Sequence, residues 1–235
     1  MGDLSEIVSH HETKDSMSYK VHYETLRDNR ILNELHWSDS QYADYGFHSD
    51  QIKLVRQRPT DERTPPNQMP MIRSVEVEPR YKYVNSVGYV SLFPMLLELV
   101  DADSPKLNTI LDQIRDPKHL WTNFGLRSLS KSAPLYNKRN TEHDPPYWRS
   151  AIWINVNYLT LKSLKHYSVV EGPYKEKAGK IYGELRKAVV DNILKNYENS
   201  GYIWEQYNDM TGQGQGSHPF TGWSGLVVLI MAEIY

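Results

Sequence analysis

The stretch "SAIWINVNYLTLKSLKHY", residues 150–167, decides the fold. Apolar side chains occupy most faces of a helix drawn through it, which is typical of a helix buried on all sides. The next segment, "PYKEKAGKIYGELRKAVVDNILKNY" at 173–197, carries one apolar stripe and a charged opposite face, and Gly201 marks its end. A buried helix followed by an amphipathic outer helix is the repeating unit of an (α/α) toroid, so we predict an all-α fold.

Helical signals continue on both sides of this pair. Helical spacing runs from residue 18 to 35, the segment around Pro94 is apolar, and Ser104 with Pro105 forms a helix start. Four prolines within 58–70 predict a long loop over residues 56–80. The chain shows about half of the hairpins of a closed six-hairpin toroid. We therefore expect residues 1–235 to be the C-terminal portion of a toroid domain that is incomplete at its N-terminal side.

Composition excludes several classes of function. The chain has 27 basic and 29 acidic residues, a formal charge of −2, so no strong field draws it to nucleic acid or anionic lipid. It has no cysteine, which removes disulfides and thiolate metal sites. Its first residues lack the apolar core of a signal peptide, and the apolar C-terminal run is too short to span a bilayer.

Aromatic residues accompany the best candidate for a catalytic acid. The chain has 17 Tyr and 6 Trp against 4 Phe, and such rings suit sugar clefts. In "YENSGYIWEQYNDMTGQGQG", residues 197–216, Glu205 stands between Trp204 and Tyr207. Burial and neighbouring groups can tune the proton affinity of such an acid. A structural acid at a helix end is the competing interpretation.

Three loops place aromatic residues beside charges. The loop 140–149 holds Glu142 and Asp144 ahead of two prolines, and a helix-capping arrangement explains it about equally well. The other two loops are 119–130 and 42–50, for which ordinary loop packing is the alternative. Besides the two acids, the candidate ligand-binding residues of the three loops are Asp44, Trp121, Arg127, Tyr147, Trp148 and Arg149. The histidine spacing does not fit zinc, and "NDMTGQGQG" does not fit a calcium loop, so we expect neither metal nor cofactor.

An acid among aromatic rings suits glycoside hydrolysis, which needs two carboxyl groups. The order "YADYG…GYVSLFP…HLWTNFGLRSLS…EHDPPYWRSAIWINVNYL…WEQYND…GWSGLVVLIMAE" resembles the C-terminal part of glycoside hydrolase family 63, the mannosyl-oligosaccharide glucosidases. The resemblance runs from about residue 32 to 235, and the stretch through Trp148 is highly specific.

The resemblance implies an inverting α-glucosidase with an (α/α) toroid fold. Such enzymes remove the terminal α-1,2-linked glucose from the triglucosylated N-glycan precursor in the endoplasmic reticulum lumen. It implies that Glu205 is the general base. Its implied neighbours in the glucose pocket are Asp44, Trp121, Arg127, Glu142, Asp144, Tyr147, Trp148, Arg149, Tyr207 and Trp223.

One element of the family pattern has no counterpart in the sequence. The family's general acid is an Asp in a "GLDDYPR"-like stretch, which residues 1–36 do not match. The family's N-terminal β-domain and membrane anchor are also without a match. We therefore expect this chain alone to be inactive, since general acid assistance is worth about a hundred- to ten-thousandfold in rate.

Two alternatives stay open. One is a non-catalytic glycan-binding or structural module of the same fold. The other is a bacterial-type inverting toroid glycosidase with a disaccharide substrate, against which the "EHDPPYW" and "FGLRSLS" matches argue.

Overall fold

The structure is a computed structural model of the 235-residue chain. It describes residues 19–22, 24–25, 28, 31–49, 51–59, 65, 68–139 and 144–235. The helices, in chain order, are α1 (Tyr89–Leu96), α2 (Pro105–Arg115), α3 (Ile154–Val169), α4 (Lys175–Ser200) and α5 (Val227–Ala232).

Helices α3 and α4 form the hairpin at the centre of the fold. Leu161 and Leu164 of α3 are completely buried, as is Leu185 of α4. Gly201 ends α4 in the left-handed conformation at φ 73°, and its amide donates to the carbonyl of Tyr197 at 2.7 Å. Both halves of the predicted helical pair are confirmed, because one apolar face of α4 packs on a helix that is itself buried.

The bounds of the predicted helices change in three places. Residues 150–153 lie outside α3 and include a β-bridge at Ile152, so the helix begins four residues later than its apolar pattern suggests. The last predicted helix is divided into a 3₁₀ segment, Trp223–Leu226, and α5. The predicted helix over 18–35 lies partly outside the described residues, and Ile31–His36 form a π-helical segment.

The prediction of an all-α fold needs correction, because the described residues also form ten short strands. They pair as five two-stranded sheets. The strands are β1 (Trp37–Ser38), β2 (Gln41–Tyr42), β3 (Asp44–His48), β4 (Ile52–Arg56), β5 (Met71–Val75), β6 (Arg80–Val84), β7 (Trp121–Thr122), β8 (Gly125–Leu126), β9 (Gln206–Tyr207) and β10 (Gly214–Gln215). Six of them are two residues long, too short to show an alternating pattern in sequence.

The four longer strands form an antiparallel ribbon. Strand β3 pairs with β6, and farther along the same two chain segments β4 pairs with β5. The predicted loop over 56–80 is therefore too long, because β5 lies inside it and β6 begins at Arg80. The prolines at 59 and 70 lie just outside the paired residues, where a missing amide costs no ladder hydrogen bond.

One buried amide ties a loop to the central hairpin. Asn157 in α3 is fully buried, and its side-chain oxygen accepts from the amide of Leu126 at 2.8 Å. Its side-chain nitrogen donates to the Leu126 carbonyl, the Trp153 carbonyl and the Tyr89 hydroxyl. The β7–β8 turn, helix α1 and helix α3 are thereby held in one arrangement.

A small set of β-bridges then brings the loops at one end of the hairpin side by side. Ile152 pairs with both Arg127 and Tyr207. Its amide donates to the Tyr207 carbonyl at 2.8 Å, and the Tyr207 amide donates back at 3.0 Å. The loop 119–130, the residues just after the loop 140–149 and the segment 197–216 therefore meet at this point.

No helix in the described ranges combines the length and the apolar character needed to cross a membrane.

Candidate active site

Glu205 lies in a fixed position between the end of α4 and β9. Its side chain is 8% exposed. Tyr147 donates its hydroxyl to Oε1, and the amide of Ser217 donates to Oε2 at 3.0 Å. The backbone is held as well, because Trp223 donates its indole Nε1 to the Glu205 carbonyl at 2.7 Å. These contacts fix both the carboxylate and the backbone that carries it.

Donated hydrogen bonds favour the ionised form of this carboxyl group. The amide of Ser217 and then the hydroxyl of Tyr147 lower the pKa of Glu205 below its usual value, and burial, which acts in the opposite direction, does not cancel them. The same contact raises the pKa of Tyr147 to about 12, because its proton is held by a carboxylate. Glu205 is therefore ionised at neutral pH and can accept a proton.

The glycine-rich run after Glu205 leaves room for this arrangement. Gly216 has φ +77°, and a Cβ there would lie 2.6 Å from Oε2 of Glu205. A Cβ on Gly214 would lie 2.1 Å from the ring of Trp204. The glycines of "GQGQG" therefore allow close approach of backbone to the acid and to the indole.

A cluster of indole rings adjoins Tyr147, the partner of the carboxylate. Trp148 stacks on Trp153 with ring centroids 3.8 Å apart, and Tyr147 meets Trp153 edge-on at 4.7 Å. The ring of Trp223 lies 5.6 Å from that of Trp153. Tyr147 and Trp148 remain partly exposed, so their rings are available to a ligand face.

A cavity of about 450 Å³ opens beside Tyr147. Its wall includes both prolines of the loop, Gln206 of β9, residues of the turn after β9, and Gly216. The polar residues that line it are Tyr136, Asn137, Tyr147, Ser150, Gln206, Asn208, Asp209, Thr211 and Gln215. Tyr147 and Gly216 lie against the carboxylate of Glu205 and also line this cavity, whereas Glu205 itself is not one of its lining residues.

Asp209 is a buried acid of this cavity that sequence reasoning missed. It forms an ion pair with Arg127, whose Nε lies 2.9 Å from Oδ2, and the same oxygen accepts from Tyr136 at 2.7 Å. Arg127 also donates to two backbone carbonyls of the loop that precedes β7. Arg127 is thus engaged behind the cavity wall and does not line the cavity. The sole sequence signal for Asp209 is its place four residues after Glu205.

Several of the predicted ligand-binding residues lie elsewhere. Tyr207 is 0% exposed, so its ring is not available for contact with a ligand. Trp121 is buried under the guanidinium of Arg115, 4.2 Å from its ring. Arg149 donates to two backbone carbonyls, at residues 138 and 139, and so fastens its loop to the neighbouring segment.

Of the other three predicted acids, the two that the structure describes, Asp44 and Asp144, do not line this cavity. Asp44 lines a second cavity, of about 290 Å³, together with Trp148 and Tyr89. Asp144 is exposed, and Glu142 lies outside the described residues. Within the described part of the chain, no three His, Asp or Glu side chains gather in a group that could hold a metal ion.

A family model of the glycosyl hydrolase family 63 C-terminal domain matches residues 1–233. The chain belongs to glycosyl hydrolase family 63. The predicted resemblance is thereby confirmed, and the family is one of glycoside hydrolases.

The names of similar curated proteins are consistent with this family assignment. A mannosyl-oligosaccharide glucosidase GCS1 of Arabidopsis thaliana is 41% identical over 100% of this chain and 28% of its own length. Alpha-glucosidase 2 of the same plant is 39% identical over 100% of the chain and 30% of its own length. A probable mannosyl-oligosaccharide glucosidase of Schizosaccharomyces pombe is 46% identical over 63% of the chain and 18% of its own length. This family 63 chain therefore spans less than a third of the curated relatives it matches.

Solved structures share the fold. An uncharacterized conserved protein from Thermus thermophilus has a TM-score of 0.55 at 15% identity, covering 98% of this family 63 chain and 43% of that protein. A sialidase has a TM-score of 0.61 at 15% identity. The match covers 96% of this chain and 18% of the sialidase. At this identity the likeness concerns the fold alone.

Proposed function

We propose that this chain carries the general base and much of the sugar pocket of an inverting α-glucosidase. Its substrate is the terminal α-1,2-linked glucose of the triglucosylated N-glycan precursor, and its place of action is the endoplasmic reticulum lumen. The names of the full-length curated relatives support the substrate and the pathway. The observation that carries the proposal is that the carboxylate of Glu205 accepts two hydrogen bonds, which favour its ionised form.

An inverting glycosidase needs an ionised carboxylate that removes a proton from the attacking water. Glu205 fits this role because its two hydrogen bonds are donated to it and lower its pKa. A general acid needs the opposite, a raised pKa and a proton to give. Glu205 therefore acts on water, and a second carboxyl group protonates the departing oxygen.

We propose that this second group comes from polypeptide outside these 235 residues. Asp209 is the acid among the described residues that line the cavity, and its Oδ2 accepts hydrogen bonds from both Arg127 and Tyr136. It is therefore engaged as an acceptor, which is the opposite of what a proton donor needs. The rest of an (α/α) toroid, and any membrane anchor, would belong to the same outside part, which the relatives' greater length supports.

The test compares three proteins on a triglucosylated N-glycan. These are the chain alone, the chain extended upstream through an Asp-containing stretch that supplies the acid, and the extended protein with Glu205→Gln. We expect glucose release from the extended protein alone. The substitution should cost at least about a hundredfold, as expected when a general base is lost.

Three results would count against the proposal. Glucose release by the chain alone would mean that its acid lies within these residues. An active Glu205→Gln protein would mean that Glu205 is not the base. If no version releases glucose but all bind the glycan equally, the chain is a binding module of the same fold.

A further inference from the structure

We propose that Trp204 is a positioning residue for Glu205, because its indole holds the segment 214–218 against the carboxylate. This role rests on the proposed function, since it names the residue through which the general base is placed. Trp204 directly precedes Glu205 in the chain and is partly buried. It does not line the cavity beside Tyr147, so its effect on the site passes through other protein groups.

The indole of Trp204 is itself held in place by its neighbours. Its Nε1 donates to the hydroxyl of Ser200, the last residue of α4, at 3.2 Å. The Ser200 hydroxyl donates in turn to the carbonyl of Asn196 at 2.7 Å. The backbone carbonyl of Trp204 accepts from the buried hydroxyl of Ser224 at 2.5 Å. Because the ring and the backbone have separate partners, the indole is a fixed surface for the segment that packs on it.

Both ends of the segment 214–218 lie against this indole. The backbone of Gly214 comes so close that a Cβ there would lie 2.1 Å from Cγ of Trp204. Four residues later, the ring of His218 lies 3.9 Å from the indole, centroid to centroid, with the two planes inclined by 32°. The amide of Gly214 also donates to the side-chain oxygen of Asn196 at 2.8 Å. The segment is thereby anchored on both sides of Ser217.

Ser217 makes two backbone contacts with the acid. Its amide donates to Oε2 of Glu205 at 3.0 Å, and its carbonyl accepts from the Glu205 amide at 3.0 Å. The amide is the largest cause of the lowered pKa of Glu205. A glycine-rich segment has more backbone freedom than other sequences, so it needs anchors to present an amide in one direction. The contacts of Trp204 supply them, as a functional group requires of the residues that support it.

The first test is an NMR pH titration of this chain, which needs no catalysis. In the parent, the ¹⁵N-labelled amide of Ser217 should shift as Glu205 loses its proton, because it donates to that carboxylate. Trp204→Leu should remove most of this shift and raise the pKa of Glu205, since the ionised form loses a donor. Trp204→Phe keeps a ring on which the segment can pack, so it should retain most of the shift.

Trp121→Leu is the matched control. It also removes an indole, but one that is buried under the guanidinium of Arg115. The control should lower the unfolding free energy and leave the titration of Ser217 and Glu205 as in the parent. If Trp204 serves packing alone, the two leucine variants will behave alike, with lower stability and an unchanged titration. That result would overturn the proposal.

Gly214→Ala tests the same contact from the other side. Its Cβ should push the segment away from the indole, so the Ser217 amide should lose its pH-dependent shift in this variant as well. This variant decides the matter if Trp204→Leu does not fold. A titration of Gly214→Ala equal to that of the parent would show that the indole does not hold the segment.

The second test is kinetic and uses the extended protein with the triglucosylated N-glycan. Because a misplacement of about 1 Å can cost about a hundredfold in rate, Trp204→Leu should lower kcat about 10- to 100-fold. The KM should hardly change, since Trp204 is not part of the cavity wall. A raised KM with kcat retained would mean that the indole binds substrate, which contradicts a positioning role.

The two tests separate this proposal from the proposed function. If the Ser217 titration changes as expected but no extended protein releases glucose, the positioning of Glu205 stands and the glucosidase function fails. If Trp204→Leu has the titration and the kcat of the parent, the positioning role fails, and glucose release by the extended parent would still support the proposed function.

Discussion

At the scale of single residues, two opposing effects meet at Glu205. Burial raises the pKa of a carboxyl group, and donated hydrogen bonds lower it. Here the amide of Ser217 and the hydroxyl of Tyr147 prevail. Because the pKa is below that of the unfolded chain, Glu205 stabilises the fold at neutral pH, and this contribution is lost as the pH falls through the lowered pKa.

Replacement of Tyr147 by Phe should raise the pKa of Glu205. The variant removes one donor to the ionised form and leaves the amide of Ser217 in place. In the extended, active protein the acid limb of the pH profile should move to higher pH. The measurement is an NMR titration of the labelled Glu205 carboxyl, with Tyr136→Phe as control, since Tyr136 donates to Asp209. An unchanged or lower pKa would contradict the assignment of this hydrogen bond.

Replacement of Gly216 by Ala should displace the carboxylate. The left-handed backbone alone costs an L-residue about 1–2 kcal/mol, and the new Cβ would lie 2.6 Å from Oε2. We expect both a lower unfolding free energy and a lower kcat in the extended protein. Gly183→Ala is the matched control, because nothing lies within 4 Å of its Cβ in the middle of α4.

The control should be stabilised by about 0.5–1 kcal/mol, as expected when Gly in a helix interior becomes Ala. Urea unfolding of both variants makes the comparison. Equal behaviour of the two alanine variants would show that Gly216 is not required for the position of Glu205.

At the scale of elements, Asn157 connects the central hairpin to the loops of the site. It bonds to Leu126, Trp153 and Tyr89 at once. Asn157→Ala should lower the unfolding free energy by at least about 2 kcal/mol, since several buried groups lose their partner. Asn199→Ala at the exposed end of α4 should change it by less than about 0.5 kcal/mol. A loss for Asn157→Ala no larger than that of the control would mean that other contacts hold the loop.

The elements also show where the sequence is informative. Helices α3 and α4 were predictable, because burial on all faces and burial on one stripe each leave a pattern over many residues. The two-residue strands leave none, and their position depends on segments far apart in the chain. Strand β9 pairs with β10, and Ile152, just before α3, pairs with Tyr207, which follows α4.

At the scale of the whole molecule, the candidate site is assembled from distant segments. Tyr147 from the proline loop and Trp223 near the C-terminus both reach Glu205 after α4. Tyr147 donates to its carboxylate, and Trp223 donates to its backbone carbonyl. Residue types with local motifs, such as Glu205 and Tyr147, could be singled out from the sequence. Asp209 could not, because its place in a cavity wall depends on the fold and no spacing reveals it.

The whole fold also explains why some predicted ligand-binding residues do not line the cavity. Arg127, Trp121 and Tyr207 share the polar or aromatic character of ligand-binding residues, but the fold buries all three. In sequence they resemble residues that bind a ligand. In the structure their contacts are with the protein itself, and those contacts hold the surrounding loops.

The most direct test of the central claim is the anomeric form of the first glucose released by the extended protein. Proton NMR in the first minutes distinguishes the α and β anomers before they equilibrate. If Glu205 acts on water opposite the departing oxygen, an α-linked substrate gives β-glucose first, and Glu205→Gln gives none. If α-glucose appears first, the site retains configuration, and Glu205 is not the base of an inverting pair.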